Sequence, residues 1–553
     1  MKHSTRKFIL VFIAAVMTGM PCIARDESHG VWKSLPDMAV PLWEAESINW
    51  NQFRGPNGAG IAAGFKPPLK VVADQAAWKT PLPPGKSSPV LWRNRVFLTG
   101  VEGDRLTTLA LDANSGKVLW KRLAPEVSLE RVHRVNSVAA STPCVDENHV
   151  YVYFGSYGLL CYDHEGLEQW KKPIPTPKSM YGVATSPIVH GQRLILVLDD
   201  DADLTGSRLS RSKVIALDKT TGELVWETPR PYNRGAWSSP MIWKHESGTE
   251  LVVLGNGRVY GYEPTTGAER WHVSDFSREP IAVPVAGNGQ LYVSVSMQGG
   301  RGDVALDPEP FWTAMLHFDR NGDGRVGRDE ITKDFTSPFR PELPPGHPGF
   351  GRPLAEDPAR RKKQQNDLFD WRDKNKDGFW TKQEFAADMR VGRGQPNLAA
   401  IRPGGHGDIT ETHVQWNLRR GIPEIPSPVF HSGRLYMVRA GGILSCVHTD
   451  TGEVIYRERL GASGHYSASP VIANDHVYFF SNKGVITVVK CGEKFTVTHQ
   501  ADLDVSIAAT METARSMQRI SQWSLVKRRT FVGRHRFTTR GGPLQLSGAT
   551  KFG

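Results

Sequence analysis

A unit returns about every 45 residues along this chain, a spacing typical of repeat architectures. A Ser/Thr-Pro pair leads an apolar run at Ser88-Pro89, Thr142-Pro143, Ser186-Pro187, Ser239-Pro240, Ser427-Pro428 and Ser469-Pro470, with Val283-Pro284 as a variant. After most pairs come a few apolar residues, a polar turn and an alternating stretch, as from Pro470 to Phe480. A second signature closes the unit: Asp112, Gly116 and Trp120; Asp163, Gly166 and Trp170; Asp218, Gly222 and Trp226; Glu263, Gly267 and Trp271; Asp450, Gly452 and Tyr456. The leading marks are 54, 44, 53, 44, 144, 42 and 41 residues apart when Met511 is taken as the eighth.

An acidic residue followed by Thr/Ser-Gly makes a tight turn, because the carboxylate bonds nearby backbone and Gly accepts positive φ. The aromatic residue four places on can wedge between neighbouring sheets. Several short strands per unit at this period predict an all-β propeller of about eight blades. The last is incomplete, because Met511 stands in place of proline and no turn signature follows. The 54 Gly and 38 Pro agree with turn-rich β structure.

The Asp-x-x-Thr-Gly-x-x-x-Trp unit resembles the PQQ-like β-propeller repeat shared by quinoprotein dehydrogenases and BamB-type outer-membrane assembly proteins. The resemblance runs over residues 50–510. The segment Trp50-Asn-Gln-Phe-Arg-Gly-Pro-Asn-Gly58 is similar to the entry segment of exported bacterial PQQ-like propeller proteins. Such a resemblance implies fold more strongly than activity. It leaves two expectations: a non-catalytic scaffold binding an envelope protein or cell-surface polymer, or a PQQ-dependent alcohol or sugar oxidoreductase. Alcohol-oxidising members of the quinoprotein group often show a vicinal Cys pair, and this chain has no adjacent cysteines. No active-site Asp or quinone clamp can be assigned.

The long interval between Pro284 and Pro428 holds an insertion near residues 300–400 with two twelve-residue loops, Asp319 to Glu330 and Asp373 to Glu384. Each resembles the EF-hand: oxygen donors at positions 1, 3 and 5, Gly at 6, an apolar residue at 8 and Glu at 12. The predicted calcium ligands are Asp319, Asn321, Asp323, Arg325, Gly327 and Glu330 in the first loop. In the second they are Asp373, Asn375, Asp377, Phe379, Thr381 and Glu384, with position 7 giving its carbonyl oxygen. Glu309 to Phe318 reads as an entering helix. Prolines between the loops leave open whether the two hands pair, and Trp380 at position 8 is expected to weaken the short strand that would join them.

The chain of 553 residues has a net charge of +11, which on its own suggests a nucleic-acid partner. The excess sits at the ends. Residues 1–24 place Lys2, Arg6 and Lys7 before an apolar run too short to span a bilayer, the layout of a secretory signal peptide. Residues 511–553 form a basic tail, read as disordered, and residues 25–510 are neutral. Nucleic acid is therefore not expected. The expectations are an exported protein of the periplasm or cell envelope, with a 25–49 extension, no transmembrane span in the mature chain, and a monomeric state. Cys144, Cys161, Cys446 and Cys491 read as buried strand thiols rather than a disulfide framework.

Overall fold

In the computed structural model the described residues are 49–503, apart from 72–75, 202–210, 231–232, 234, 297–303, 306–307, 339–342, 348–349, 374, 389 and 392–394, together with short strands Ile23–Arg25 and Trp32–Ser34. The tail 511–553, the mark at Met511 and most of the predicted signal peptide lie outside them. Seven antiparallel meanders are described, six four-stranded sheets and one extended to five strands.

Blade I is Val90–Trp92, Arg95–Glu102, Arg105–Asp112 and Val118–Leu123, and blade II is Cys144–Val145, His149–Phe154, Gly158–Asp163 and Glu168–Pro173. Blade III is Ile188–His190, Arg193–Leu198, Lys213–Asp218 and Leu224–Pro229. Blade IV is Met241–His245, Gly248–Gly255, Arg258–Tyr262 and Glu269–Val273, with Gly407–Asp408 added in parallel at its edge. Blade V is Val285–Gly287, Gln290–Val295, Asn397–Ile401 and Val414–Leu418. Blade VI is Val429–His431, Arg434–Val438, Ile443–His448 and Val454–Arg459, and blade VII is Val471–Ala473, His476–Phe480, Val485–Lys490 and Val497–Asp502.

Burial falls from the inner strands of each blade to the outer: Val150 to Phe154 are all buried, whereas Glu168–Pro173 alternates between exposed and half-buried. Apolar clusters join each blade to the next, as Phe97 and Ala110 of blade I pack with Val150 and Leu160 of blade II. Between blades VII and I the same role falls to the chain preceding blade I. Trp50, Ala62 and Val71 share one cluster with Val471 and Tyr478 of blade VII and Leu91 and Leu109 of blade I. Seven sheets are thus described where the repeat predicts about eight blades, and the eighth mark falls beyond residue 503.

The two repeat signatures have distinct mechanical roles. The backbone N–H of each leading Ser/Thr donates to the hydroxyl of the next: Ser88 to Thr142 at 2.9 Å, Thr142 to Ser186 at 3.0 Å, Ser186 to Ser239 at 3.0 Å and Ser427 to Ser469 at 2.9 Å. Val283 donates to Ser427 at 2.9 Å but offers no hydroxyl to blade IV, where the Ser238 hydroxyl donates to the Ala282 carbonyl instead.

At the outer rim each tryptophan lies over the glycine of the following blade's turn. Trp120 Nε1 donates to the His164 carbonyl at 2.8 Å, and a Cβ on Gly166, at φ +83°, would meet the Trp120 ring at 2.7 Å. Trp170, Trp226 and Trp416 dock in the same way on Lys219, Pro264 and Thr449, and Trp78 docks on Ala113 of blade I. Trp271 departs from this pattern. Blade V has no Asp-x-x-Thr-Gly turn between its last two strands, so the Trp271 indole turns inward and donates to Glu250 at 2.8 Å.

Cys161 and Cys446 occupy equivalent places, opposite Tyr151 and Tyr436 on the neighbouring strands. Cys144, Cys161 and Cys446 are buried and unbridged, and Cys491 is half-buried and unbridged. Among the described residues, no helix is long and apolar enough to cross a membrane.

Candidate functional site

The meander puts the connections between second and third strands, and those from one blade to the next, on one face of the ring, here the upper face. The insertion leaves blade V after Val295 and returns at Asn397, so residues 296–396 are an upper-face loop. Within it lie helix α1 (Glu309–Met315) with its short continuation Leu316–Phe318, helix α2 (Pro358–Arg372) and helix α3 (Lys382–Asp388). Asp357 caps α2 by accepting from the Arg360 N–H at 2.8 Å.

The two candidate loops meet. Val326 pairs with Trp380 and Gly327 with Phe379 in a two-residue antiparallel ladder, joining the position-8 residues of both loops. The pairing left open by the sequence is therefore present. Trp380, expected to weaken it, is 1% exposed and stacks on Phe369 at 4.6 Å, in a core with Trp312, Met315, Phe335 and Phe385. The indole fills volume between the helices while its backbone keeps the ladder.

In the first loop Asp319 accepts from the Gly322 and Gly324 amides at 2.7 and 2.8 Å, and Asn321 Oδ1 accepts from the Asp323 amide at 2.8 Å. Glu330, 5% exposed, accepts from the Arg320 and Gly327 amides, both at 2.7 Å. The second loop repeats this: Asp373, 7% exposed, accepts from the Gly378 amide at 2.9 Å, and Glu384 accepts from the Thr381 hydroxyl at 2.9 Å. Gly324 and Gly378 hold φ of +77° and +85°, the sharp turn that position 6 demands.

The loops differ at position 7. The Arg325 guanidinium lies 3.0 Å from Asp323 Oδ2 and over the Phe379 ring at 4.0 Å, whereas the apolar Phe379 at the same position carries no such charge beside Asp377. The Arg325 amide and guanidinium hold the Asp323 carboxyl below its ordinary range. Among the described residues, no cluster of three or more His, Cys, Asp or Glu side chains is arranged as a metal-holding group. Instead, each loop turns its carboxylates inward onto its own amides. That donor set of carboxylate, amide and carbonyl oxygens suits a hard cation such as calcium.

A second polar assembly lies on the upper face of blades II to IV. Arg230 and Asp199 form an ion pair with both side chains fully buried, Nε to Oδ1 at 3.1 Å. Arg230 also donates to the Leu254 carbonyl at 2.7 Å. Burial pushes the Asp199 carboxyl up to about 6, against the pull of Arg230. Asn233 Oδ1 accepts from the Asn256 amide, and Asn256 Oδ1 from the Glu279 amide, both at 3.0 Å. Burial pushes Glu279 and Glu130 each up to about 7. The void beside Asp199, Tyr153 and Trp237 measures about 10 Å³, room for about one water.

The part of the centre least legible in the sequence is the entry segment. Residues 49–62 thread the ring along its innermost strands: the Leu91 amide of blade I donates to the Trp50 carbonyl and the Val145 amide of blade II to the Asn51 carbonyl, both at 2.8 Å. Asn57 exchanges two hydrogen bonds with the Ile242 backbone of blade IV, and Gly58 approaches Val283. Arg54 donates to the Pro428 carbonyl ahead of blade VI at 2.7 Å, and the Ile472 amide of blade VII donates to the Gly60 carbonyl at 2.9 Å. Arg54 is 0% exposed, with Nε and Nη1 unpartnered, and burial pulls its guanidinium down to about 9.

A family profile described as outer membrane protein assembly factor BamB matches residues 70–240, 210–309 and 401–519. A curated relative, polyvinylalcohol dehydrogenase from a Pseudomonas species, is 22% identical over 342 residues, covering 52% of this chain and 51% of that protein. The chain thus spans about half the length of that relative. Among solved structures, BamB from Moraxella catarrhalis aligns at 10% identity and a TM-score of 0.42 over 76% of this chain and 87% of its own. The quinohemoprotein alcohol dehydrogenase from Comamonas testosteroni aligns at 12% identity and a TM-score of 0.35 over 81% and 77%.

Proposed function

Because the chain belongs to the PQQ-like repeat family described as outer membrane protein assembly factor BamB, we propose that it is an exported, calcium-binding, non-catalytic scaffold that holds an envelope protein or cell-surface polymer. The observation that carries this reading is the threaded ring. The chain's own Trp50 to Gly60 segment runs along the inner strands with Arg54 fully buried, an arrangement that supports a rigid framework. The signal-like first 24 residues and the family description support export to the envelope.

Calcium in this reading is structural. Asp319, Asn321, Asp323, Glu330 and the Arg325 carbonyl would hold one ion, and Asp373, Asn375, Asp377, Glu384 and the Phe379 carbonyl another; Gly327 and Thr381 stand at position 9, which often contributes through water. The ion supplies positive charge to carboxylates that otherwise fold onto loop amides. The ladder at Val326 and Trp380 then couples the two loops, so that filling one stiffens the other.

The alternative reading, a PQQ-dependent alcohol or sugar oxidoreductase, draws on the name of the polyvinylalcohol dehydrogenase relative. One experiment separates the two. Purified full chain is mixed with PQQ and calcium and assayed for bound-quinone absorbance and alcohol-dependent dye reduction, while crosslinking in envelope extracts seeks a partner. A saturable quinone spectrum with alcohol-dependent turnover would sink the scaffold reading; a specific crosslinked partner without turnover supports it.

A further inference from the structure

Where the insertion joins blade V, the upper face holds a cavity of about 340 Å³ lined by Ser296, Pro396, Arg419, Arg420, Arg439 and Arg457, with Gly421, Ile422 and Ile443. Four arginines from two blades therefore line one concavity. Arg419 and Arg420 follow the last strand of blade V, Arg439 follows the second strand of blade VI, and Arg457 lies on the last strand of blade VI.

The charge there is largely uncompensated. Arg419 pairs with Asp275, donating also to its carbonyl at 3.1 Å. Among the described residues, that is the carboxylate paired with any of the four. Arg457 is held by neutral groups, donating to Ser445 Oγ at 3.2 Å and to the Arg420 carbonyl at 3.3 Å. Gly421 makes that approach feasible: at φ +82°, a Cβ there would stand 2.7 Å from the Arg457 guanidinium. Arg420 and Arg439 are exposed.

A planar guanidinium presents paired donors that match phosphate or carboxylate oxygens, and several around one cavity favour a ligand with more than one negative charge. The volume suits a small molecule or the end group of a larger one. We propose that this cavity between blades V and VI is an anion site for a phosphate-bearing ligand carrying at least two negative charges. It stands apart from the calcium loops and does not depend on the scaffold reading.

The test is titration calorimetry of the full chain with inorganic pyrophosphate in calcium-free buffer, so that chelation contributes no heat. The expected result is one saturable site that weakens with added salt. The double variant Arg420→Gln/Arg439→Gln, in which neither replaced guanidinium hydrogen-bonds among the described residues, should bind at least about tenfold more weakly with unchanged Tm. An Arg134→Gln control, on a distant exposed loop, should bind as the parent does. No heat at millimolar pyrophosphate, or full binding in the double variant, overturns the site. Tighter binding of citrate than of pyrophosphate overturns the phosphate assignment.

Discussion

The Ser88 backbone N–H donates to the Thr142 hydroxyl at 2.9 Å, and Thr142 in turn donates its own N–H to the Ser186 hydroxyl at 3.0 Å. Both Ser88 and Thr142 are buried, at 2% and 1% exposure. The Ser/Thr of the repeat is thus an inter-blade latch, and the proline after it removes a competing donor at the start of the inner strand.

Replacing Thr142 with Val keeps the shape and deletes the acceptor, leaving the Ser88 N–H buried and unpaired. A loss of about 1–3 kcal/mol is expected in urea unfolding, while Thr142→Ser should cost less. Equal stability of the Val variant and the parent would show that the latch contributes nothing.

The outer clasp should be stronger. Trp120, 8% exposed, loses its cavity filling and its bond to His164 on change to Ala, a cost of about 3–5 kcal/mol. Gly166→Ala should also destabilise, because its Cβ would meet the indole at 2.7 Å and its φ is +83°. Thermal unfolding of the two single variants and the double checks this, and non-additive losses are expected because both act on one contact.

The Asp199 and Arg230 pair is fully buried, so removing one partner strands a charge. Arg230→Met is expected to cost about 3–5 kcal/mol, and Asp199→Leu/Arg230→Met to recover much of it. A double variant less stable than both singles would contradict this.

Stability should fall as pH rises from about 4.5 to about 7. Glu279, 9% exposed, and Glu130 are pushed up to about 7 by burial, so the folded chain holds protons that the unfolded chain has released in that window. Asp199, pushed up to about 6, acts with the same sign. Tm measured from pH 4.5 to 8.5 should show Glu279→Gln gaining on the parent as pH rises, and a constant difference would refute the assignment.

For the calcium loops, calorimetry should find two binding events, with Glu330→Gln and Glu384→Gln each removing one. Arg325→Ala should tighten the first loop, since it removes the cation paired with Asp323 Oδ2 while the position-7 carbonyl remains. No calcium binding at millimolar concentration would remove both sites.

Much of this was legible in the chain itself. The Ser/Thr-Pro and Asp-x-x-Thr-Gly marks located the sheets, because turn chemistry and strand alternation are local. The twelve-residue loops were legible for the same reason, since position 6 needs Gly and the donors must recur at fixed steps. Trp271 shows where local reading ends. Its place in the repeat matches that of Trp226, but the missing turn in blade V sends its indole to Glu250 instead.

Which distant groups meet follows from the three-dimensional packing alone. Arg54 finds its carbonyl partner at Pro428, 374 residues away, and Val326 meets Trp380 across a proline-rich connection. Arg419 and Arg457 come together because neighbouring blades place their upper connections side by side. The repeating sheet and the twelve-residue donor pattern could be read from the chain alone, because they depend on contacts within a few residues. The buried ion pair depends on strands brought together within one blade, the arginine cavity on the packing of two neighbouring blades, and the threaded centre on the whole ring, none of which a local pattern encodes.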